Sequence, residues 1–240
     1  MNAQDLYHEC AKCVGINYPN GMCAIPERAP VEGCGFFPVA SGSFHNGSLT
    51  ENIQRKLMFV GQDWGGVKGV MSLAKDPNAD MKSATARNLH ALLEAAGIPL
   101  KECFFTNALF GVRSAGKKIT GPSPGWKDKK FCQRCENALR IQIQKIQPKA
   151  IVSLGRDAPD LLVEIVEKCR PWKSAKSFVQ IDTDGYALID LDPAEHDLKA
   201  AAILLHPSYR HIHARHRKFT GKNGNAAEIG MLNALWEKVK

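Results

Sequence analysis

Long hydrophobic runs are missing from this sequence. The longest apolar stretches, such as residues 200–205, are far shorter than the roughly 20 residues that a membrane-spanning helix needs. The chain begins MNAQDLYHECAKC, in which acidic residues come early and no apolar core of a secretion signal follows. These absences argue against a membrane-spanning or secreted protein, and we expect a cytoplasmic location without a membrane partner.

Internal repeats and a strong compositional bias are absent as well. Hydrophobic residues make up 44% of the 240 residues and charged residues 23%, which are ordinary values for a globular protein. This composition excludes a mainly disordered, collagen-like or coiled-coil chain. The length suits either one large α/β domain or two smaller domains.

Acidic residues are in the minority: 24 Asp and Glu face 32 Lys and Arg, which gives a formal net charge of +8. A basic excess of this size favours a polyanionic partner, most simply nucleic acid, although a merely soluble basic protein has the same property. The sequence also contains eight cysteines. Without an export signal, they are expected to be free thiols or metal ligands instead of a disulfide framework.

Two regions of the chain differ in their pattern. Residues 1–50 contain four cysteines and several turn residues, and they are predicted to form a short helix over residues 3–13 followed by an irregular N-terminal arm. From residue 56 onwards, short apolar runs alternate with stretches of helical periodicity. Residues 51–240 are therefore predicted to form the main domain.

The main domain is predicted to alternate strands and helices. Apolar runs predict strands over residues 57–60, 104–110, 150–154 and 201–205. Helical spacing predicts helices over residues 84–96, 129–146, 157–169 and 226–239, with Asp157 as the N-cap of the third. Residues 178–181 and 186–189 are predicted to pair as a hairpin. This order predicts an α/β fold with three layers, α/β/α, around a central, mostly parallel sheet.

Polar residues follow three of the predicted strands, at the edge of the sheet where α/β proteins usually bind their ligands. The first strand leads into Gly61-Gln62-Asp63-Trp64-Gly65-Gly66, a glycine-rich turn that fits neither a phosphate loop nor a dinucleotide fingerprint. The second leads into Asn107, whose amide can pair with the edge of a nucleobase, and the last leads into His206. Taken singly, these residues have ordinary interpretations as a solvated aspartate, a turn asparagine and a structural histidine. Their convergence at one sheet edge indicates a site.

A basic loop follows His206. It runs His211-Ile212-His213-Ala214-Arg215-His216-Arg217-Lys218 and interleaves cations with aliphatic residues. Such a surface suits contacts with a phosphate backbone, although a solvated basic loop is the simpler alternative.

The order of these motifs resembles the uracil-DNA glycosylase superfamily, especially its iron–sulfur-containing branch. Three stretches carry the resemblance: residues 57–63 (LMFVGQD), residues 104–107 (FFTN) and residues 204–209 (LLHPSY). The stretch from Cys135 to Gly155 also resembles the helix and strand of that branch. The resemblance covers about residues 56–240 and implies the fold predicted above.

The resemblance implies a monofunctional DNA glycosylase that acts as a monomer on DNA containing a damaged base. Such an enzyme flips a deaminated base, uracil or a related lesion, out of the duplex and hydrolyses its N-glycosidic bond. Asn107 would pair with the polar edge of the base, and His206 would hydrogen-bond the carbonyl that gains negative charge. Asp63 would orient a water molecule and stabilise the cationic sugar. Backbone amides of the turn at Gly61 and Gln62 would assist.

The same resemblance places the loop after His206 against the duplex. There an apolar wedge would fill the gap that the flipped base leaves. The residues expected to contact DNA are Ser208, Tyr209, Arg210, Ile212 and Arg215.

Departures from the family pattern concern the base-binding turn. Trp64 stands where the family usually has proline, Gly65 where the DNA-uracil branch has tyrosine, and Gln62 where the iron–sulfur branch has an acid. Met81 aligns with the aromatic residue that stacks on uracil, and Trp64 is a candidate replacement for that platform. These departures leave the excised base open. They also leave two alternatives: a non-catalytic nucleic-acid-binding protein of the same fold and a nucleoside-type small-molecule hydrolase.

Two CxxC pairs, Cys10-Cys13 and Cys132-Cys135, suit either a tetrahedral zinc ion or a 4Fe-4S cluster. The iron–sulfur branch uses an N-terminal CxxC and two later cysteines, so the resemblance implies this set, with Cys132 in place of the third ligand. Free thiols are another interpretation. A metal centre of either kind would be structural and would pin the arm to the main domain. A rival set, suited to zinc, lies entirely in the arm: Cys10, Cys13, Cys23 and Cys34.

Overall fold

The structure is a computed structural model that describes residues 3–26, 53–75, 83–116, 120–192 and 197–240. Its helices are α1 (Ala3–Val14), α2 (Val67–Lys75), α3 (Ala84–Ala95), α4 (Lys129–Ile146), α5 (Pro159–Ile165), α6 (Arg170–Ser174), α7 (Phe178–Thr183), α8 (Arg210–His213) and α9 (Asn225–Val239). Its strands are β1 (Met22–Cys23), β2 (Leu57–Gly61), β3 (Cys103–Asn107), β4 (Val112–Arg113), β5 (Ala150–Leu154), β6 (Leu188–Asp190), β7 (Ala200–Leu204), β8 (Lys218–Phe219) and β9 (Lys222–Asn223). Short 3₁₀ turns cover Leu100–Glu102, Pro124–Lys127, Glu167–Cys169, Pro207–Tyr209 and Ala214–His216.

Five strands form the central sheet, in the order β3-β2-β5-β7-β6. β2 runs parallel to β3 and β5, and β5 runs parallel to β7, whereas the edge strand β6 is antiparallel to β7. Every residue of β2, β3, β5 and β7 is buried. Such continuous burial is expected of parallel strands covered on both faces, and it explains their unbroken apolar runs. The predicted α/β fold with a mostly parallel central sheet is confirmed.

The register of the sheet brings the carboxyl ends of the parallel strands to one edge. Gly61 at the end of β2 lies opposite Asn107 at the end of β3. Leu154 at the end of β5 lies opposite Leu204 at the end of β7. The segments that follow these four strands therefore start side by side.

Side-chain caps explain where the main helices begin. The Asp128 carboxylate accepts a hydrogen bond from the Phe131 backbone amide at the start of α4, and the Ser83 hydroxyl caps α3 in the same way. None of the described helices combines the length and the hydropathy that crossing a membrane requires.

The first helix, α1, packs along α4 and contributes to the hydrophobic core. Arg134 of α4 strengthens this contact, since its Nε donates to the Val14 carbonyl oxygen at 2.7 Å. The helix predicted at the start of the arm is confirmed. Residues 27–52 lie outside the described residues, so the predicted domain boundary near residue 50 stays a prediction.

The hairpin predicted over residues 178–189 is wrong. Phe178–Thr183 is helix α7, and only Leu188–Asp190 forms a strand, which pairs with β7. The Ser177 side chain accepts a hydrogen bond from the Gln180 backbone amide and so caps α7. Over so short an apolar run, the periodicity of a strand cannot be distinguished from that of a helix. The side-chain cap at Ser177 favours the helix.

Other predicted boundaries are also corrected. Asp157 does not cap the third predicted helix, because α5 begins at Pro159 without a side-chain cap bond. The second strand ends at Asn107, since the next backbone amides turn to the carbonyl oxygens of Gly61 and Gln62. Helix α2 has no counterpart among the predicted elements.

A buried charge network ties the C-terminal helix α9 to the last core strand. Glu228 of α9 has no solvent exposure, and its Oε1 accepts hydrogen bonds from the Leu205 backbone amide at 2.7 Å and from Arg217 at 3.2 Å. Its Oε2 accepts from Arg210. Arg217 also binds the Asp182 carboxylate at 3.0 Å. Buried charges of this kind are tolerated because each one is paired and hydrogen-bonded.

Replacing Glu228 removes the carboxylate that two buried guanidinium groups share. We expect Glu228→Gln to lose about 3–5 kcal/mol of the free energy of unfolding, because Arg210 and Arg217 lose their shared counter-ion. Urea denaturation followed by circular dichroism measures this loss. Glu237→Gln is the control, because it removes only an exposed ion pair with Lys240 and should cost less than about 1 kcal/mol. Equal stability of the two variants would contradict the prediction.

Candidate active site

A cavity of about 1150 Å³ opens at the carboxyl edge of the sheet. The three polar side chains that the sequence analysis singled out there, Asp63, Asn107 and His206, all lie on its wall. The glycine-rich turn after β2 forms one side, and the chain after β7 forms another. The structure thus brings the three residues together around one space, which is large enough for a nucleotide-sized ligand.

His206 is held by the turn that follows it. The Ser208 backbone amide donates to His206 Nδ1 at 3.3 Å, and the Ser208 hydroxyl oxygen lies 2.7 Å from the same nitrogen. Because a backbone amide can only donate, Nδ1 is the acceptor and the proton of the neutral ring sits on Nε2. Asn88 of α3 fixes the same turn by donating to the Pro207 carbonyl oxygen at 2.7 Å. His206 therefore places an N–H donor at the cavity wall.

Burial keeps His206 neutral. Desolvation lowers the pKa of His206 below its ordinary value, and the Asp63 carboxylate offsets part of this shift. At neutral pH the ring is then uncharged, and its Nε2–H can stabilise an oxygen atom that gains negative charge.

Asn107 lies almost fully buried beside Gly61 of the neighbouring strand. A Cβ atom on residue 61 would stand only 2.4 Å from Asn107 Oδ1, which is closer than real side chains come. Glycine is required here for space, so that the asparagine amide can lie against the backbone of β2. Within the described residues, this amide makes no hydrogen bond to its own turn. Its donor and acceptor remain available to a ligand.

Asp63 is not solvated, in contrast to the simplest interpretation of its turn. Its side chain is 5% exposed, and its Oδ2 accepts a hydrogen bond from Arg113 Nε at 2.7 Å. Its Oδ1 accepts from the Gly65 backbone amide at 2.9 Å. The ion pair is buried, and it fixes a negative charge on the cavity wall.

Arg113 is a site residue that the sequence analysis did not single out. It lies in the short strand β4, and its guanidinium also donates to the Gly121 carbonyl oxygen at 2.7 Å and contacts Gln62 Oε1 at 3.5 Å. The sequence offers one argument for such a residue: a buried carboxylate needs a cation as its partner. This argument does not tell which of the 32 Lys and Arg residues is the partner of Asp63.

The same strand-end motifs are matched by a known family. A family model described as the uracil DNA glycosylase superfamily matches residues 50–227, which include β2, β3, β7 and the segments that follow them. The chain belongs to the uracil DNA glycosylase superfamily. No individual curated protein matches this chain. The assignment of this chain to the iron–sulfur branch of the superfamily stays a prediction.

Trp64 gives this member of the superfamily an indole on the cavity wall. The ring is nearly buried and packs edge-on against Phe110, with centroids 6.0 Å apart. Gln62, two residues before Trp64, donates to the Gly121 carbonyl oxygen at 3.4 Å. Met81, the other residue predicted to face the base, lies outside the described residues.

The outer part of the loop after β7 is exposed. Tyr209 is 41% exposed and Ile212 is 45% exposed, and Arg215 is exposed as well. These three side chains are accessible to solvent beside the cavity. Ser208 is partly buried and bonded to the His206 ring.

Arg210 corrects the predicted set of DNA contacts. Its guanidinium is buried, where it binds Glu228 and donates to Asn225 Oδ1 at 2.8 Å. Because its guanidinium is bound to these buried partners, Arg210 cannot contact a phosphate. It stabilises the loop from inside the protein.

None of the described cysteines forms a disulfide bond. Among the described residues, no three His, Cys, Asp or Glu side chains are grouped closely enough to hold a metal ion. The sulfur atoms of Cys10, Cys13 and Cys132 instead donate to backbone carbonyl oxygens. Cys23 lies on β1, and Cys34 lies outside the described residues.

Cys135 differs from the other three CxxC cysteines, because its sulfur accepts a hydrogen bond. The Phe110 backbone amide donates to its sulfur at 3.4 Å, and burial raises the pKa of Cys135 to about 12. The metal centre predicted for the four CxxC cysteines stays a prediction, and no step below depends on it.

The burial of His206 predicts its titration. We expect the pKa of His206 to lie below 6.5, and Asp63→Asn to lower it further, because that carboxylate favours the charged ring. Proton NMR of the ring hydrogens across a pH series measures both values. A pKa at or above 6.5, or a rise in the Asp63→Asn variant, would contradict the neutral assignment.

Proposed function

We propose that this protein is a monofunctional DNA glycosylase that removes a deaminated base. The observation that carries this proposal is the meeting of Asp63, Asn107 and a neutral His206 around one cavity, in a chain of the uracil DNA glycosylase superfamily. The reaction breaks the C1′–N bond, joins a water oxygen to C1′, and yields a free base and an abasic sugar.

Base selection follows from the hydrogen-bonding groups on the cavity wall. The target nucleotide leaves the stack and enters the cavity, where the Asn107 amide pairs with its polar edge. His206 offers only a donor, its Nε2–H, to the base. A carbonyl oxygen accepts that bond, whereas an exocyclic amino group presents a second donor. The site therefore favours bases in which deamination has replaced an amino group by a carbonyl.

The charges that develop as the bond breaks find opposite groups already in place. The electron pair of the C1′–N bond moves into the base, and His206 stabilises the oxygen that gains negative charge. The sugar gains positive charge, which the Asp63 carboxylate stabilises. Arg113 holds that carboxylate in a fixed position, so little reorganisation is needed during the reaction.

The size of the cavity and the Trp64 indole determine which bases the site can bind. A volume of about 1150 Å³ admits either a pyrimidine or a purine. Trp64 supplies an aromatic surface on which a flipped base can stack. Uracil, hypoxanthine and xanthine are accordingly the bases to test.

The exposed part of the loop after β7 is the surface that meets DNA. Ile212 and Tyr209 are suited to fill the gap that the flipped nucleotide leaves, since apolar side chains commonly do so. Arg215 and the net charge of +8 favour the phosphate backbone.

Excision assays with duplexes that each carry one uracil, hypoxanthine or xanthine test the proposed reaction. We expect His206→Ala to lower the rate about 100–1000-fold, because one preorganised donor to the developing negative charge is lost. Asn107→Ala should also lower the rate far more than the duplex affinity. His8→Ala is the control, because His8 is exposed on α1 and does not line the cavity, and it should keep the wild-type rate. Unchanged rates in both site variants would contradict the proposal, and duplex binding without excision by the wild type would support a non-catalytic protein.

Salt-dependent binding tests the DNA surface. We expect Arg215→Ala to weaken duplex binding regardless of sequence, and to reduce the slope of log affinity against log salt by about one. Fluorescence anisotropy with a labelled duplex measures the slope. Arg170→Ala is a charge-matched control, because Arg170 is exposed on α6 and does not line the cavity. The same slope in both variants would place the DNA on another face.

A further inference from the structure

Asp63 is held in place as a fixed charge. Its Oδ1 accepts from the Gly65 backbone amide and its Oδ2 accepts from Arg113, so each oxygen already accepts one hydrogen bond. These two bonds fix the carboxylate where it can stabilise positive charge on the sugar. A carboxylate without such partners has both oxygens available to bind the attacking water.

A second carboxylate, that of Asp157, lies on the wall of the same cavity. β5 runs between β2 and β7, and after Leu154 the chain turns at Gly155 with a φ of 95°. Gly155 packs closely on the next strand end, since a Cβ there would stand 3.2 Å from His206 Cβ. Asp157 thus enters the cavity between the strand ends that carry Asp63 and His206.

The surroundings of Asp157 differ from those of Asp63. Its side chain makes no hydrogen bond or ion pair within the described part of the chain. The charged groups that act on it are the carboxylates of Asp160 and Asp63 and the guanidinium groups of Arg113 and Arg156. Arg113 binds Asp63, and Arg156 donates to two backbone carbonyl oxygens just before α7, so both cations have other partners.

These surroundings also set the proton affinity of Asp157. Burial raises the pKa of Asp157 above its ordinary value, and repulsion from Asp160 and Asp63 raises it further, while Arg113 and Arg156 oppose the shift. A carboxylate with a raised pKa accepts a proton more readily near neutral pH than an ordinary aspartate does.

We propose that Asp157 is the general base of the reaction, which binds the attacking water and takes its proton. This inference rests on the proposed glycosylase function. The C1′–N bond breaks and its electron pair leaves with the base, while the water oxygen bonds to C1′ and one water proton passes to Asp157. The base anion, stabilised by His206, finally takes up that proton, which returns Asp157 to its ionised form.

Single-turnover excision, with enzyme in excess over duplex, separates this chemical step from product release. We expect Asp157→Asn to lower the single-turnover rate about 100-fold or more, with duplex affinity unchanged. The wild-type rate should fall toward acid pH as Asp157 is protonated. This acid limb of the pH–rate profile should be absent in the variant.

Asp160→Asn is the matched control. Asp160 carries the same charge on the first turn of α5, but it is exposed and does not line the cavity. Its removal relieves repulsion on Asp157 and lowers the pKa of that carboxyl. The acid limb should therefore move to lower pH, while the plateau rate stays at the wild-type value.

The outcomes separate this inference from the function on which it rests. An active wild type together with a fully active Asp157→Asn variant would overturn the role of Asp157 and leave the glycosylase function standing. A variant that loses duplex affinity in proportion to its rate would overturn that role as well. A wild type that excises none of the three bases would overturn the proposed function, and the role of Asp157 with it.

Discussion

The Glu228 carboxylate is shielded from water and binds three donors at once: the Leu205 backbone amide, Arg210 and Arg217. An uncompensated ion at such a depth costs several kcal/mol, so the network is stable only when all of its members are in place. This requirement joins α9, the last core strand and the basic loop into one unit. His206 follows Leu205 directly, and its position is therefore set by charges buried beneath it.

Each polar group at the strand ends is fixed by a neighbour of a different kind. Asn107 occupies the space that Gly61 leaves free, and Asp63 is held by the guanidinium of Arg113. His206 is oriented by the backbone amide of its own turn. Because these groups are in place before a ligand arrives, they do not reorganise when charge develops, and such preorganisation is the main source of electrostatic catalysis.

Most of the sheet and the meeting of the three strand-end residues could be predicted from the sequence. Apolar runs such as residues 150–154 indicate buried parallel strands, and parallel strands bring their carboxyl ends to one edge. The partners of Arg113 and Arg210 could not be predicted, because tertiary contacts and not sequence spacing choose which carboxylate a cation meets. The strand predicted over residues 178–181 is wrong for a local reason. Their short apolar run suits a strand and a helix equally, and the helix is favoured by a single hydroxyl group, the cap at Ser177.

The close approach of Gly61 and Asn107 has a consequence for how this site can evolve. Any mutation that adds a carbon at residue 61 collides with the amide on the adjacent strand, so Asn107 must then turn away from its present position or be replaced by a smaller residue. Gly61 is therefore not free to change while the asparagine keeps its position. A lineage that abandons the asparagine would be released from the glycine as well, and divergence in base preference along this branch should then appear as paired substitutions across two neighbouring strands.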